Sequence, residues 1–450
     1  MTKLRRQLGL AAVMAVVMGD MLGSGIFFTP GELAQVAERP WQVYFIWSLC
    51  GLIVLCGALT LGELASLFPR AGSTYHIMTE AFGPAWGFVK AWMEAWVSAP
   101  GSIAGIAIVF GEFVVSFLGD AAGPARLWGI VAVAVFAAIN LMGVQWGGRA
   151  QVALTSVKIV GVLILVGGSY LLAEAVTPVA TATTSSFDLA GLLRFVGLGV
   201  AAVFFTYDGW TDVTHVAGEV DDPERTLPLG LGLGVFGIMV LYLVVNHAFL
   251  RIIPLSVMRD EGATAATTLA AATFGDAAGA AVSAFIMISI FGALGGLVMT
   301  APRIVYAPAS QYQDSPRGRP FFGLLAYVSP KSGAPTNAIL FSVTLSVIAI
   351  LFFQTFDRLV SFILVPLQLI NVATVAAVFR LRKRALENAD QYLTPGYPIV
   401  PLVFVVVMTL LMVNAAIYNP IDTFIGVALT ALGVPVYLWI ASGSAGSPKR

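Results

Sequence analysis

The chain has 450 residues, 58% of them hydrophobic and 11% charged. Soluble domains carry about 25% charged residues, so most of this surface is suited to lipid or to a lipid-buried core. Twenty-four basic residues balance twenty-four acidic ones, leaving no surplus for nucleic acid, and three histidines are too few for a metal-ligand cluster. The only cysteines, Cys50 and Cys56, are too poorly aligned on one helix for a disulfide.

The N-terminus, MTKLRRQLGL, has the charged start of a signal peptide. The apolar run behind it continues past signal-peptide length with no small-residue cleavage site, so it reads as a first membrane span. That span contains GDMLGSGIFFTPG from Gly19 to Gly31. Each of Gly19, Gly23 and Gly25 lowers helix stability by about 0.8–1 kcal/mol relative to Ala, and Pro30 adds a break. A helix opens in a bilayer only where its freed backbone groups meet a cavity, a ligand or protein. The second half of an opened helix presents N–H groups and a positive dipole end to an anion. Gly23-Ser24-Gly25 therefore reads as a cradle for a small carboxylate; the alternative is that these glycines only let two helices pack closely.

Charge clusters and Pro/Gly-rich joints divide the chain into apolar blocks at 8–33, 42–67, 84–118, 127–146, 150–174, 190–215, 228–252, 277–303, 336–354, 358–380, 397–417 and 420–441. A bilayer takes about 20 helical residues to cross, so an all-α membrane protein with twelve transmembrane helices is expected. With the N-terminus inside, sixteen Lys and Arg fall on inner connections and six on outer ones, the two others (Lys90 and Lys158) lying within spans. The positive-inside rule then puts both termini in the cytoplasm.

Within span 3, Lys90 and Glu94 are spaced for an i,i+4 ion pair. Lys158, nine residues beyond Arg149, lies about 13 Å into a core about 30 Å thick. It is too deep to snorkel out, so its ammonium needs acceptors within the protein. The carbonyls of Gly19 and Leu22 are the natural ones, with Asp20 a candidate counter-ion.

Span 6 reads FFTYDGWTDVTHVAGE from Phe204 to Glu219, with Asp208-Gly209 amid aromatics. This second break lies five spans after the first, an odd offset that reverses orientation as in an inverted repeat. Paired breaks of this kind point to a midplane transporter site. Asp20 and Asp208 are intramembrane carboxylates, costly at roughly 2.5–3.5 kcal/mol each on insertion scales. Each is either functional or structural, Asp208 as a cap on its own break, Asp20 facing a pocket or a neighbouring helix. His215 reads as a satisfied polar residue, and Asp221–Arg225 as a solvated inner loop.

N–H donors for a small carboxylate are offered by Ser24, Gly25 and Ile26. Acceptors for a cationic group are available at Met21, Leu22, Phe205, Thr206 and Asp208 where the helices stop. Trp210 either floors such a pocket or packs.

These residues resemble the amino acid–polyamine–organocation transporter superfamily, and most its L-type amino acid transporter branch. GSGIF at Gly23–Phe27 matches the first-helix motif. Glu63-Leu64-Ala65 with Pro69, Gly72 and Tyr75 resembles the motif after the second helix. FFTYDGW at Phe204–Trp210 is similar to the family's FFAYGGW-type break, and the following GEVDDPERTLP to its EEVKNPERNLP-type loop. Gly396-Tyr397-Pro398 and Gly433-Val434-Pro435-Val436-Tyr437 fit near the end. The chain departs from the pattern in APASQYQDSPRGRP, Ala307–Pro320, which lacks the usual Arg-Asp/Glu-Gly turn, and in having Asp208 where many relatives have Gly.

The resemblance implies a single membrane domain over residues 1–450. It would hold two inverted five-helix repeats, 8–174 and 190–383, followed by helices 11 and 12 over 397–441, with helices 1 and 6 broken. It assigns the substrate-binding roles above to the same positions and makes Phe205 a gate over the substrate. In sodium-coupled proteins of similar fold, first-break carbonyls and a hydroxyl pair on span 8 hold Na⁺. Span 8 here offers only Ser289, and several sodium-independent relatives have a lysine like Lys158, which would stand in for the ion or carry a proton. The expected function is sodium-independent secondary transport of amino acids, neutral L-amino acids first, by exchange or proton coupling. The alternative is a polyamine or cationic amino acid carrier. An enzyme is not expected, since no catalytic constellation or phosphate loop appears, and neither is a cofactor. With no cysteine between spans 3 and 4, where animal relatives attach a glycoprotein heavy chain, a stand-alone protein of a bacterial cytoplasmic membrane is implied.

Overall fold

Long apolar runs leave the backbone no water to bond with, so they satisfy their own N–H and C=O groups as helices. The computed structural model describes residues 8–23, 25–70, 73–119, 122–142, 158, 160–174, 189–387 and 391–444. Its helices are α1 (Leu10–Met21), α2 (Gly25–Val36), α3 (Pro40–Leu67), α4 (Ser73–Phe82), α5 (Pro84–Leu118), α6 (Ala125–Leu141), α7 (Val160–Leu171), α8 (Leu189–Thr206), α9 (Pro223–Ile252), α10 (Leu255–Glu261), α11 (Ala265–Phe274), α12 (Asp276–Tyr312), α13 (Arg319–Leu325), α14 (Thr336–Phe353), α15 (Phe356–Ala376), α16 (Val378–Leu386), α17 (Ile399–Tyr418), α18 (Pro420–Ala431) and α19 (Gly433–Ser444). Among the described residues, eight helices are long and apolar enough to cross a membrane, or nine if the bent pair α1 and α2 counts as one span. Three shorter apolar helices, Ala125–Leu141, Val160–Leu171 and Phe195–Thr206, fall on the blocks expected for spans 4, 5 and 6. Residues 143–157, which would complete the blocks of spans 4 and 5 and include Arg149, lie outside the described residues, as do residues 175–188 between spans 5 and 6, and Gly72.

Three boundaries differ from the sequence reading. Helix α9 starts at Pro223 rather than near 228, inside the stretch read as a loop, because proline at the first helical position loses no hydrogen bond. Helix α12 runs past 303 to Tyr312, so the first part of Ala307–Pro320 is helix, and Arg319 then opens α13. The long 84–118 block takes up its length partly in a π-helical turn, Glu94–Ser98, which begins at the ion pair of Lys90 with Glu94, 2.7 Å apart.

The chain divides into two compact units. The first comprises Met1–Ile77, Lys158–Ile286 and Val372–Asn414. In it α9 packs along α1 and α3. Gly230 and Gly234, one turn apart on α9, receive Val13 and Val17, one turn apart on α1, the small-to-large fit that lets membrane helices approach closely. At one end of α3 the fully buried Glu63 accepts from Arg382 and from the N–H and hydroxyl of Thr394, at 2.7 and 2.6 Å. Arg382 also lies over the Tyr397 ring, 4.4 Å from its centroid. The segment before α17 is thereby fastened to α3. Removing one partner of such a buried pair costs about 3–5 kcal/mol.

The second unit comprises Met78–Val157, Met287–Asn371 and Ala415–Arg450. Here α5 and α6 lie so close that Gly111 and Gly129 each face a backbone carbonyl of the other helix, Ala125 and Ala107 respectively. Phe88, Trp92 and Trp96 form an aromatic row packed against Tyr312, Phe322, Phe341 and Tyr437.

Candidate substrate-binding site

The glycine-rich stretch of span 1 opens where its composition places the break. Helix α1 stops at Met21 and α2 resumes at Gly25, bent by 46°. Between them the Leu22 N–H still reaches the Met18 carbonyl, at 2.8 Å, and the Gly23 N–H turns to the Met21 carbonyl, at 2.7 Å. Gly25 and Ile26 are buried at the first turn of α2, where backbone N–H groups have no partner within their own helix. Ser24 lies outside the described residues.

Span 6 opens just after Thr206. The Tyr207 and Asp208 N–H groups bond back to Phe204 and Phe205, and Gly209 turns the chain at φ +98, a conformation glycine adopts without penalty. A 3-10 helix, Asp212–Glu219, then carries the chain onward past His215.

The two breaks meet. A Cβ built on Gly209 would lie 3.0 Å from the backbone of Asp20, and one on Gly25 would lie 2.6 Å from the Thr206 hydroxyl. Thr29 and Thr206 share a buried hydroxyl–hydroxyl hydrogen bond of 2.8 Å. The Tyr242 hydroxyl of α9 reaches both break carbonyls, Met21 at 2.5 Å and Thr206 at 3.1 Å. Tyr242 packs edge-on against Trp47 and Tyr207, and the Tyr207 hydroxyl donates to the Trp47 carbonyl at 3.0 Å. A polar hydroxyl in the middle of an apolar span was the only sequence signal for Tyr242. Thr29, Trp47 and Tyr242 were missed, because each also reads as ordinary packing.

Lys158 is 3% exposed and donates to the Leu22 carbonyl at 3.0 Å. Asp20 is exposed and interacts electrostatically with Lys158. The Asp208 carboxylate lies beside the Gly209 N–H at its own break. Gly19 and Phe205 are half-buried. Trp210 is buried, 5.8 Å from the Phe404 ring and packed at Gly57 of α3. The carbonyls of Met21 and Leu22 thus already have side-chain donors, the one Tyr242 proton going to Met21, the nearer of its two carbonyls, and that of Met21, accepting from both Gly23 and Tyr242, has both lone pairs engaged. Among the described residues no group of three His, Cys, Asp or Glu could hold a metal.

A family model described as amino acid permease matches residues 8–442. The chain is similar to the serine/threonine exchanger of Bacillus subtilis (strain 168), 28% identical over 96% of either chain. It is similar to the human cystine/glutamate transporter, 27% identical over 97% of this chain and 85% of that one. To the human b(0,+)-type amino acid transporter 1 it is also 27% identical, over 92% of this chain and 82% of that one.

Proposed function

The chain belongs to the amino acid permease family, and we propose that it moves neutral L-amino acids across a bacterial cytoplasmic membrane by alternating access, without sodium. Its family and relatives are permeases, transporters and exchangers, not enzymes. The observation that carries the finer reading is the direct contact of two broken helices, laced by Thr29–Thr206 and by Tyr242.

In this reading the substrate carboxylate sits at the N-terminus of α2, on the N–H groups of Ser24, Gly25 and Ile26, where the helix dipole favours an anion. The ammonium lies toward the end of α8, by the Phe205 carbonyl and Asp208. It reaches the Met21 carbonyl only if it displaces Tyr242. Twelve spans in two inverted repeats, both termini in the cytoplasm, and operation without a heavy chain complete the proposal. An amine carrier would need Asp20 or Asp208 for its cargo. Asp20 lies in the field of Lys158, which leaves Asp208 as the carboxylate nearer to a single ammonium and favours a cargo with one amine and one carboxylate. Uptake of labelled amino acids and polyamines into proteoliposomes, with and without internal substrate, is expected to select neutral amino acids. Uptake of polyamines alone would replace this reading, and dependence on internal substrate would identify exchange.

Two further results are expected. Phe205 is half-buried and abuts the break, so Phe205→Ala is expected to lower transport more than binding, since a gate acts on the occluded state. Equal transport rates in variant and wild type would reduce Phe205 to packing. Lys158 sets its amine on a first-break carbonyl, where its positive charge would repel Na⁺. Uptake is therefore expected to be unchanged by a Na⁺ gradient at fixed pH and voltage. Stimulation would overturn the ion-replacement role, and a pH-insensitive rate would leave Lys158 purely structural.

A further inference from the structure

We propose that the Thr206 hydroxyl is a third donor to the substrate carboxylate, oriented by Thr29; this rests on the carboxylate site proposed at α2. The two side chains are 5% and 1% exposed, and their oxygens lie 2.8 Å apart. Two hydroxyls carry two protons, and one hydrogen bond between them uses one. Among the described residues neither side chain has another hydrogen-bond partner, so one buried hydroxyl proton is left without an acceptor. Leaving a buried donor unmade costs about 1–3 kcal/mol, and such exceptions call for a reason.

The position of Thr206 supplies the reason. Its Oγ1 would stand 2.6 Å, and its Cγ2 2.9 Å, from a Cβ on Gly25. The hydroxyl therefore flanks the first residue of α2, whose N–H is a cradle donor. Thr29 lies four residues further along the same helix. With Thr29 donating to Thr206, the spare proton belongs to Thr206, beside the cradle, and a carboxylate there completes the chain of hydrogen bonds. Each bond in such a chain polarises the next, and a bond to a charged acceptor is stronger than one between neutral groups. The competing role, a hydroxyl pair that only laces α2 to α8, would respond to loss of the bond whatever the ligand.

The test uses the full-length protein in nanodiscs, with L-serine, L-leucine and L-arginine and their carboxamides as probes. Thr206→Val keeps the side-chain shape and removes the hydroxyl. It is expected to weaken binding of the amino acid that wild type binds best by about tenfold, and to leave binding of the carboxamide within about twofold, since the amide lacks the charged acceptor. Thr206→Ser is expected to restore amino acid binding, and Thr29→Val to reproduce the carboxylate-selective loss by removing the orienting donor. Thr206→Val binding the amino acid like wild type, or losing amino acid and carboxamide equally, would overturn the proposal while leaving the α2 site in place. Wild type binding the carboxamide as tightly as the amino acid would remove the α2 site, and this proposal with it.

Discussion

Gly25→Ala is expected to bring amino acid uptake to background while the protein still inserts and purifies as a monodisperse species. The added methyl acts twice. It would stand 2.6 Å from the Thr206 hydroxyl and 2.9 Å from its methyl, closer than packed atoms are found, so α2 and the end of α8 must separate and stretch the Thr29–Thr206 bond. It also fills the space where a carboxylate would approach the first N–H groups of α2. The two effects separate in the double variant Gly25→Ala/Thr206→Ala, which removes the colliding atoms. Uptake equal to that of Thr206→Ala alone would mean that only the helix contact required glycine. Continued loss in the double variant supports the anion cradle.

Lys158→Met is expected to lower the uptake rate by tenfold or more and to lower thermal stability as well. The methionine has similar length and bulk, so packing changes little, but the Leu22 carbonyl loses its donor and Asp20 loses its electrostatic partner. An unsatisfied buried carbonyl costs about 1–3 kcal/mol, here at the break that must keep its shape. Lys158→Arg is not a conservative control, because a planar guanidinium cannot take the place of a compact ammonium at 3.0 Å from one carbonyl. Wild-type uptake by the methionine variant would show that the first break holds its geometry without this donor.

Much of the site was legible because helix breaking is a local property. Three glycines in seven residues of an apolar span, and Asp208-Gly209 in another, weaken a helix wherever it stands, and the structure opens the chain at Met21–Gly25 and just after Thr206. The Lys90–Glu94 pair followed from spacing alone. The demand of a deep lysine for an internal acceptor was legible too, and it is met at Leu22, 136 residues away. Some boundaries were not. Pro223 read as loop and begins a helix, since the same residue serves either end of a turn and only the fold chooses.

The sequence by itself determined that this is a helical membrane protein, where two of its helices break, and to which family it belongs. Composition, glycine placement and motif spacing are properties of the chain that hold before it packs. Only the tertiary structure decided what the freed groups bond to. Tyr242 reaches Met21 across 221 residues, and Thr29 meets Thr206 across 177. A tyrosine in an apolar span or a threonine before a proline looks the same in sequence whether it bridges two helix breaks or fills a core. The difference arises from the register in which helices far apart in the chain are laid together, and glycines such as Gly25, Gly230 and Gly234 set how closely they lie.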